Sequence, residues 1–306
     1  MSMVSRSSDT WASHAVCLAA GARDGLRTAQ FFVRLLSGAE DWGRKPAVAA
    51  PDVPAPRTYF FSPLVSKLAS MADRFMTWTV DCWIALVIPE WRKLPSPFNR
   101  GMLSEVSQAI RGTLLTTGKF DVKVSEDPGI LDSSNALKAY DVVFLHLYNA
   151  KLPTLTDAAK QNLLDYVKGG KGLCISHLSS ASFKEWGEFQ KLCGRYWVMG
   201  KSGHGPRGVF KAHIANPDHP ITKGLTDFET DDELYAKLLG DAPIQVLVNA
   251  NSDWSKATEP LAFTLDYGKG RVFHETFGHD GKAIATPNVA TLIQRGTEWA
   301  ATGEVK

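Results

Sequence analysis

His177, His204, Glu233 and His279 are the side chains of this sequence best suited to work together. An imidazole titrates near neutrality, so beside a carboxylate it forms a general acid/base pair. The same residue types hold a divalent metal such as zinc, leaving a position open for water or a carbonyl oxygen. The spacings are long and irregular, and both chemistries stay open. Each candidate has its own local reason. His177 follows the apolar run 173–176, where a strand-to-helix turn can present a side chain to a cleft. His204 lies in the Gly-rich loop 200–208, Glu233 sits behind Asp232, and His279 with Asp280 comes just beyond the run 271–277. The other reading of Glu233 is a solvated acidic turn, since Asp227, Glu229 and Asp231 are close in sequence. His146, inside the run 141–147, and His274 read as core or surface groups, and His219 between Asp218 and Pro220 reads as part of a turn.

From residue 83 onward, strand-like and helix-like segments alternate, as in a parallel sheet covered on both faces. Residues 83–88 (WIALVI) form an apolar run of strand length, and 102–115 carry apolar residues at helical spacing. Residues 120–124 alternate, and 141–147 (DVVFLHL) read as a buried strand. Thr156 can cap a helix that runs to Val167 and stops at Gly169-Gly170. Strands are expected at 173–176, 209–215, 245–250, 261–267 and 271–277, with a helix over 183–192. Gly268-Lys269-Gly270 marks a hairpin turn. Thr286-Pro287 gives an N-cap and a proline at the first position of the closing helix over 289–300. In such sheets ligands bind beyond the carboxyl ends of the strands, which is where the candidate side chains fall.

Cys174 offers a competing register. Residues 172–177 (GLCISH) follow the pattern G-x-C-x-G-H with Ser in the fifth place, and in that register Cys174 is the nucleophile of an amidotransferase-like hydrolase. That strand would have to end at Cys174, yet Gly169-Gly170-Lys171-Gly172 interrupts the chain just before it, and a buried strand needs about five residues. The favoured register runs the strand through Ser176, places His177 at the turn and points Cys174 into the core.

Composition narrows the partners. The net charge is +2 with no long basic run, which removes the electrostatic basis for nucleic-acid binding. The four cysteines, Cys17, Cys82, Cys174 and Cys193, show no CxxC spacing and fit a reducing compartment, with a cytoplasmic location expected. The most apolar stretch, 75–91, contains Asp81, Pro89 and Glu90 and is short for a span, so no membrane span is expected. Residues 1–82, with the Ala/Pro-rich linker 47–57, are expected to be a weakly structured or disordered N-terminal extension, and 83–303 the folded domain.

An ordered set of motifs then resembles one family. Gly170-Lys171-Gly172-Leu173-Cys174-Ile175-Ser176-His177 is similar to the segment G-G-G-F-V-G-I-H of the ThuA-like family. Phe183, Trp186, Phe189 and Cys193-Gly194-Arg195-Tyr196-Trp197 resemble its D-T-F…W…L-x-G-G-Y-F. His204 falls where the family has a loop histidine. Asn216-Pro217-Asp218-His219-Pro220 with Ile221-Thr222-Lys223-Gly224-Leu225, then Asp232-Glu233-Leu234-Tyr235, then Tyr267-Gly268-Lys269-Gly270-Arg271, then Gly278-His279-Asp280 and Trp299-Ala300-Ala301 follow in order.

The resemblance implies a flavodoxin-like or class I glutamine amidotransferase-like fold: a doubly wound, mostly parallel sheet with a late β-hairpin. It implies a small-molecule carbohydrate as ligand, through the family's association with trehalose and related sugars, and a homo-oligomer is compatible with it. In that reading His177, Glu233 and His279 are catalytic or metal-holding groups on a keto sugar or glycoside. His204, Asp232, Tyr235 and Trp186 contact the sugar, and Trp186, Trp197 and Tyr235 are rings on which it could stack. One departure stands out. The family carries a histidine near the end of the first strand, where this chain has Pro89-Glu90-Trp91 and Phe98-Asn99. That departure favours the rival reading, a non-catalytic sugar-binding protein on the same scaffold.

Overall fold

The computed structural model describes residues 82–87, 97–148 and 155–306. By its contacts the chain divides into Met1–Phe61 and Ser62–Lys306, and the described residues all belong to the second unit. The expectations for the N-terminal extension and for Pro89, Glu90 and Trp91 fall outside the described residues.

The first half of the domain is built from right-sized apolar runs. β1 (Cys82–Val87), β2 (Phe120–Ser125), β3 (Val142–Leu145) and β4 (Gly172–Ser176) are all parallel neighbours, in the order β2-β1-β3-β4. Parallel strands require crossovers, and helices supply them. α1 (Pro97–Leu115) joins β1 to β2, and a short α2 (Ser134–Leu137) follows β2. α3 (Asp157–Lys168) joins β3 to β4, with the Thr156 hydroxyl accepting from the Ala159 amide as its N-cap. Alternation along each strand then fills two cores. Leu86, Phe144 and Cys174 face α1 and the last helix; Ala85, Val143, Leu145 and Ile175 face α3. Burial on both faces is why these strands read as unbroken apolar runs.

The second half adds an antiparallel extension to the largely parallel central sheet. α4 (Gly187–Cys193) leads to β5 (Gly203–His204), β6 (Gly208–Ile214), β7 (Phe228–Asp232), β8 (Tyr235–Ala236), β9 (Gln245–Ser252), β10 (Ala257–Tyr267) and β11 (Gly270–Glu275). β11 continues the parallel half beside β4, and β10-β9-β6-β7 extend it antiparallel to a nine-stranded mixed sheet. β5 and β8 pair separately as a two-stranded antiparallel ribbon. The expected hairpin at Gly268-Lys269-Gly270 joins β10 to β11. α5 (Gly281–Ile284) and α6 (Pro287–Thr302) close the domain. α6 lies tight on the sheet. A β-carbon on Gly296 would stand 2.3 Å from the Phe273 ring, and one on Gly172 2.6 Å from the Ala300 backbone, so only glycine permits that approach.

Two segments differ from their sequence expectation for local reasons. The helix expected over 183–192 begins only at Gly187, because Phe183 adopts a left-handed backbone (φ 49°) that no helix continues through. The acidic stretch around 227–232 is a strand and not a turn. β7 pairs with β6 and buries Thr230 and Asp232, an alternation hidden by charged residues on its open side.

Candidate active site

His177 is the first residue beyond β4 and opens a 3₁₀ turn, His177–Ala181. Its backbone is left-handed (φ 49°), a conformation that costs an L-residue about 1–2 kcal/mol. The surroundings hold it there. The Ser179 hydroxyl accepts from the Leu147 amide (2.9 Å) and donates to the Leu145 carbonyl (2.9 Å), which ties the turn to the end of β3. The Ser180 hydroxyl donates to the His177 carbonyl at 3.1 Å. The imidazole is fixed at both nitrogens. A carbonyl only accepts, so Nδ1 donates to the Thr276 carbonyl at 2.8 Å, and Nε2 accepts from the Tyr235 hydroxyl at 2.9 Å. Burial lowers the pKa of His177, against the pull of Asp232, the Thr276 bond and Glu233. The ring is therefore held neutral.

Glu233 stands between β7 and β8 and gathers three imidazoles. Oε1 lies 3.0 Å from His279 Nδ1 and 3.5 Å from His204 Nε2, and Oε2 lies 3.9 Å from His177 Nε2. The His204 orientation is set from the other side, where Nδ1 donates to the Gly205 carbonyl at 2.7 Å. His204 is thus part of the β5–β8 ribbon, opposite Tyr235, and not a free loop residue. His177, Glu233 and His279 also offer donor atoms that all lie within 4.8 Å of one another, a set of two imidazoles and one carboxylate that suits a divalent ion. The Nδ1–H of His177 on a backbone carbonyl is the outer-shell bond that orients ligating histidines.

These groups line one cavity of about 240 Å³, with Tyr235, Trp197 and His146. Two of the sequence candidates do other work. Asp232 is almost wholly buried and accepts the amides of Glu233 (2.8 Å), His279 (3.1 Å) and Gly278 (2.8 Å). It holds the Gly278-His279 segment beside Glu233 and is not among the residues lining the cavity. Trp186 stacks on Phe189 (5.6 Å between centroids) and packs edge-on against Phe183, away from the lining residues. Trp197 is the tryptophan that borders the cavity, 4.7 Å from the Tyr235 ring. The sequence reading made His146 a core or surface group. It is buried, yet it lines the cavity, and its signal was available: it is the residue directly after β3, at the carboxyl end of the sheet.

Cys174 lies within β4, fully buried, with Thr297 at 3.8 Å, and burial pushes its thiol far above the ordinary range. A thiolate nucleophile needs the opposite environment. Treatment of the native protein with iodoacetamide is expected to leave Cys174 unmodified until denaturant is added, as read by peptide mass spectrometry. Rapid native labelling would revive the cysteine register.

The fold and the site together define an α/β protein with a parallel core, an antiparallel extension, and a His/Glu cluster at the carboxyl end of the parallel strands. Comparison with known proteins gives the class a family. The sequence model of the ThuA family, described as trehalose utilisation, matches residues 99–300, and the chain belongs to that family. The structure is similar to that of a ThuA-like protein from Parabacteroides merdae, with a TM-score of 0.62 and 25% identity over 74% of this chain and 91% of that one. A ThuA-like protein from Bacteroides uniformis aligns with a TM-score of 0.58 and 14% identity over 73% of this chain and 94% of that one, which speaks to the fold alone. None of the curated proteins is detectably similar in sequence. Among the described residues no helix is long and apolar enough to cross a membrane.

Proposed function

We propose that this chain acts in carbohydrate metabolism on an oxidised (keto) sugar or its glycoside, by proton transfer at the carbon next to the carbonyl. Family membership supports the substrate class. The observation that carries the chemistry is the convergence of three imidazoles on one carboxylate, Glu233, inside a small cavity at the carboxyl end of the sheet. A carbon acid beside a carbonyl needs a base held close and a neighbour that can take up or return the proton. Glu233 is the base in this reading. His279, at 3.0 Å, and His204, at 3.5 Å, hold the carboxylate and share its proton. His177, neutral and with Nδ1–H committed to Thr276, presents Nε2 to the substrate when Tyr235 turns aside.

His177, Glu233 and His279 would hold a divalent ion such as zinc. Such an ion would polarise the carbonyl or lower the pKa of a bound water. The scaffold, which we read as class I glutamine amidotransferase-like, contributes the strand-end turn that carries His177.

The test is incubation of purified protein with a 3-keto-glucoside, with and without prior chelation, and metal analysis of the protein as isolated. Turnover that His177→Ala abolishes supports the proposal. Sugar binding without turnover in every metal condition would replace it with a non-catalytic sugar-binding role.

A further inference from the structure

Among the described residues the buried histidines are anchored, with one exception. His177 is bonded at both nitrogens, His274 Nδ1 donates to the Cys193 carbonyl (2.8 Å), and His219 Nδ1 accepts the Ile221 amide (3.2 Å). His146 is only 2% exposed, and among the described residues neither of its ring nitrogens meets a hydrogen-bond partner. Leaving a buried polar group unpaired is costly, so native structures rarely do so without a reason. The reason here is position: the ring lines the cavity that Glu233, His177 and His279 share. The broad, roughly two-fold torsion of an imidazole ring allows either nitrogen to be presented to an occupant.

We propose that His146 is a ligand-binding residue of this cavity, exchanging hydrogen bonds with a hydroxyl of an uncharged, single-ring polyol. The inference rests on the sugar reading above and sharpens it in charge and size.

Charge follows from the lining. Buried and with no anionic partner at either nitrogen, the His146 ring is neutral and offers one donor and one acceptor. A hydroxyl also donates and accepts, and it matches that pair. A phosphate or carboxylate needs fixed cations, and among the described residues no lysine or arginine lines the cavity. The titratable neighbours instead include the carboxyl groups of Glu233, Asp232 and Glu275. Size follows from the volume. At about 240 Å³ the cavity lies below the range of about 300–1,000 Å³ that accepts drug-sized ligands. One sugar ring fits that space, and the second ring of a glycoside would have to remain outside.

The experiment compares wild-type protein with His146→Leu and His146→Gln. The probes are methyl α-D-glucopyranoside and glucose 6-phosphate, followed by calorimetry, with thermal unfolding measured alongside. Wild type is expected to bind the neutral glucoside and to bind the phosphate more weakly. Leucine fills the same space without an unpaired polar group, so His146→Leu is expected to raise Tm by about 2–4 °C and to weaken glucoside binding about tenfold. Glutamine keeps a donor and an acceptor and is expected to restore most of the affinity. Unchanged affinity in His146→Leu would overturn the inference and leave the sugar reading standing. A Tm lowered by several degrees in that variant would also overturn it, because the ring would then be structural. Failure of wild type to bind any neutral sugar would remove both readings, and tighter binding of the phosphate would remove the charge argument.

Discussion

Glu233→Gln is expected to lower kcat/KM on the proposed keto-sugar substrate by roughly 10²–10⁴, the range lost with a general base, while Tm stays within about 2 °C of wild type. Three imidazoles surround this one side chain, and among the described residues no other carboxylate lines the cavity. Glutamine has the same shape, so the loss reports chemistry and not packing. The Glu233 amide, bonded to Asp232, is untouched by the change. Metal content of the variant separates the two routes. If the metal is retained or was never present, the carboxylate acts as the base; if it is lost with activity, the carboxylate acts as a ligand. Activity within threefold of wild type would end the assignment of Glu233.

The second large effect concerns stability against pH, and it comes from groups beneath the site. Burial holds His146 at about 3 and His274 at about 4, and it lowers His177 and His219 as well. In the unfolded chain these rings titrate near 6.5. Between about pH 4 and 6.5 the unfolded state binds more protons, so stability falls as the solution is acidified. Glu275 acts with the opposite sign. Burial, with Asp232 adding to it, raises its carboxyl to about 8. The unfolded chain releases that proton near 4.3, and the native state keeps it. Above pH 6.5, where the histidines no longer contribute, stability therefore declines by about 1.4 kcal/mol per pH unit from this group, or about 2 kcal/mol by pH 8. A stability maximum between pH 6 and 7 is expected in urea unfolding. Glu275→Gln mimics the protonated carboxyl, so it should abolish the alkaline decline and leave stability near pH 5 little changed. Wild-type stability that is flat or rising from pH 6.5 to 8 would contradict a buried, protonated Glu275.

How much of this was legible in the sequence depended on what kind of force placed each residue. Runs buried on both faces, such as Val142–Leu145 and Gly172–Ser176, announce themselves because both sides of the strand must be apolar. The turn at His177 was legible because Gly169-Gly170 fixed where β4 could begin. β7 was not, because its pattern, Phe228–Asp232, buries a threonine and an aspartate whose partners lie far away in sequence. Asp232 belongs at the site for its type and position, yet its oxygens go to the amides of residues 233, 278 and 279, a fact that only tertiary structure contains. His146, read as a core or surface group, is buried, and its place on the cavity was hidden for a related reason. A histidine inside an apolar run looks like a core residue until the strand is seen to end one position earlier.

The Asp232 bonds carry one more consequence. Asp232 ends β7, one of the two edge strands of the sheet, and its carboxylate clips the Gly278-His279 segment in place beside Glu233. Margins of a sheet open more readily than its centre. Fraying of that margin would release the clip and scatter the groups proposed to react while the parallel interior stayed folded. The competent state and the folded state are then separate populations, and heat, denaturant or a weakened border could extinguish reactivity well before the molecule as a whole came apart.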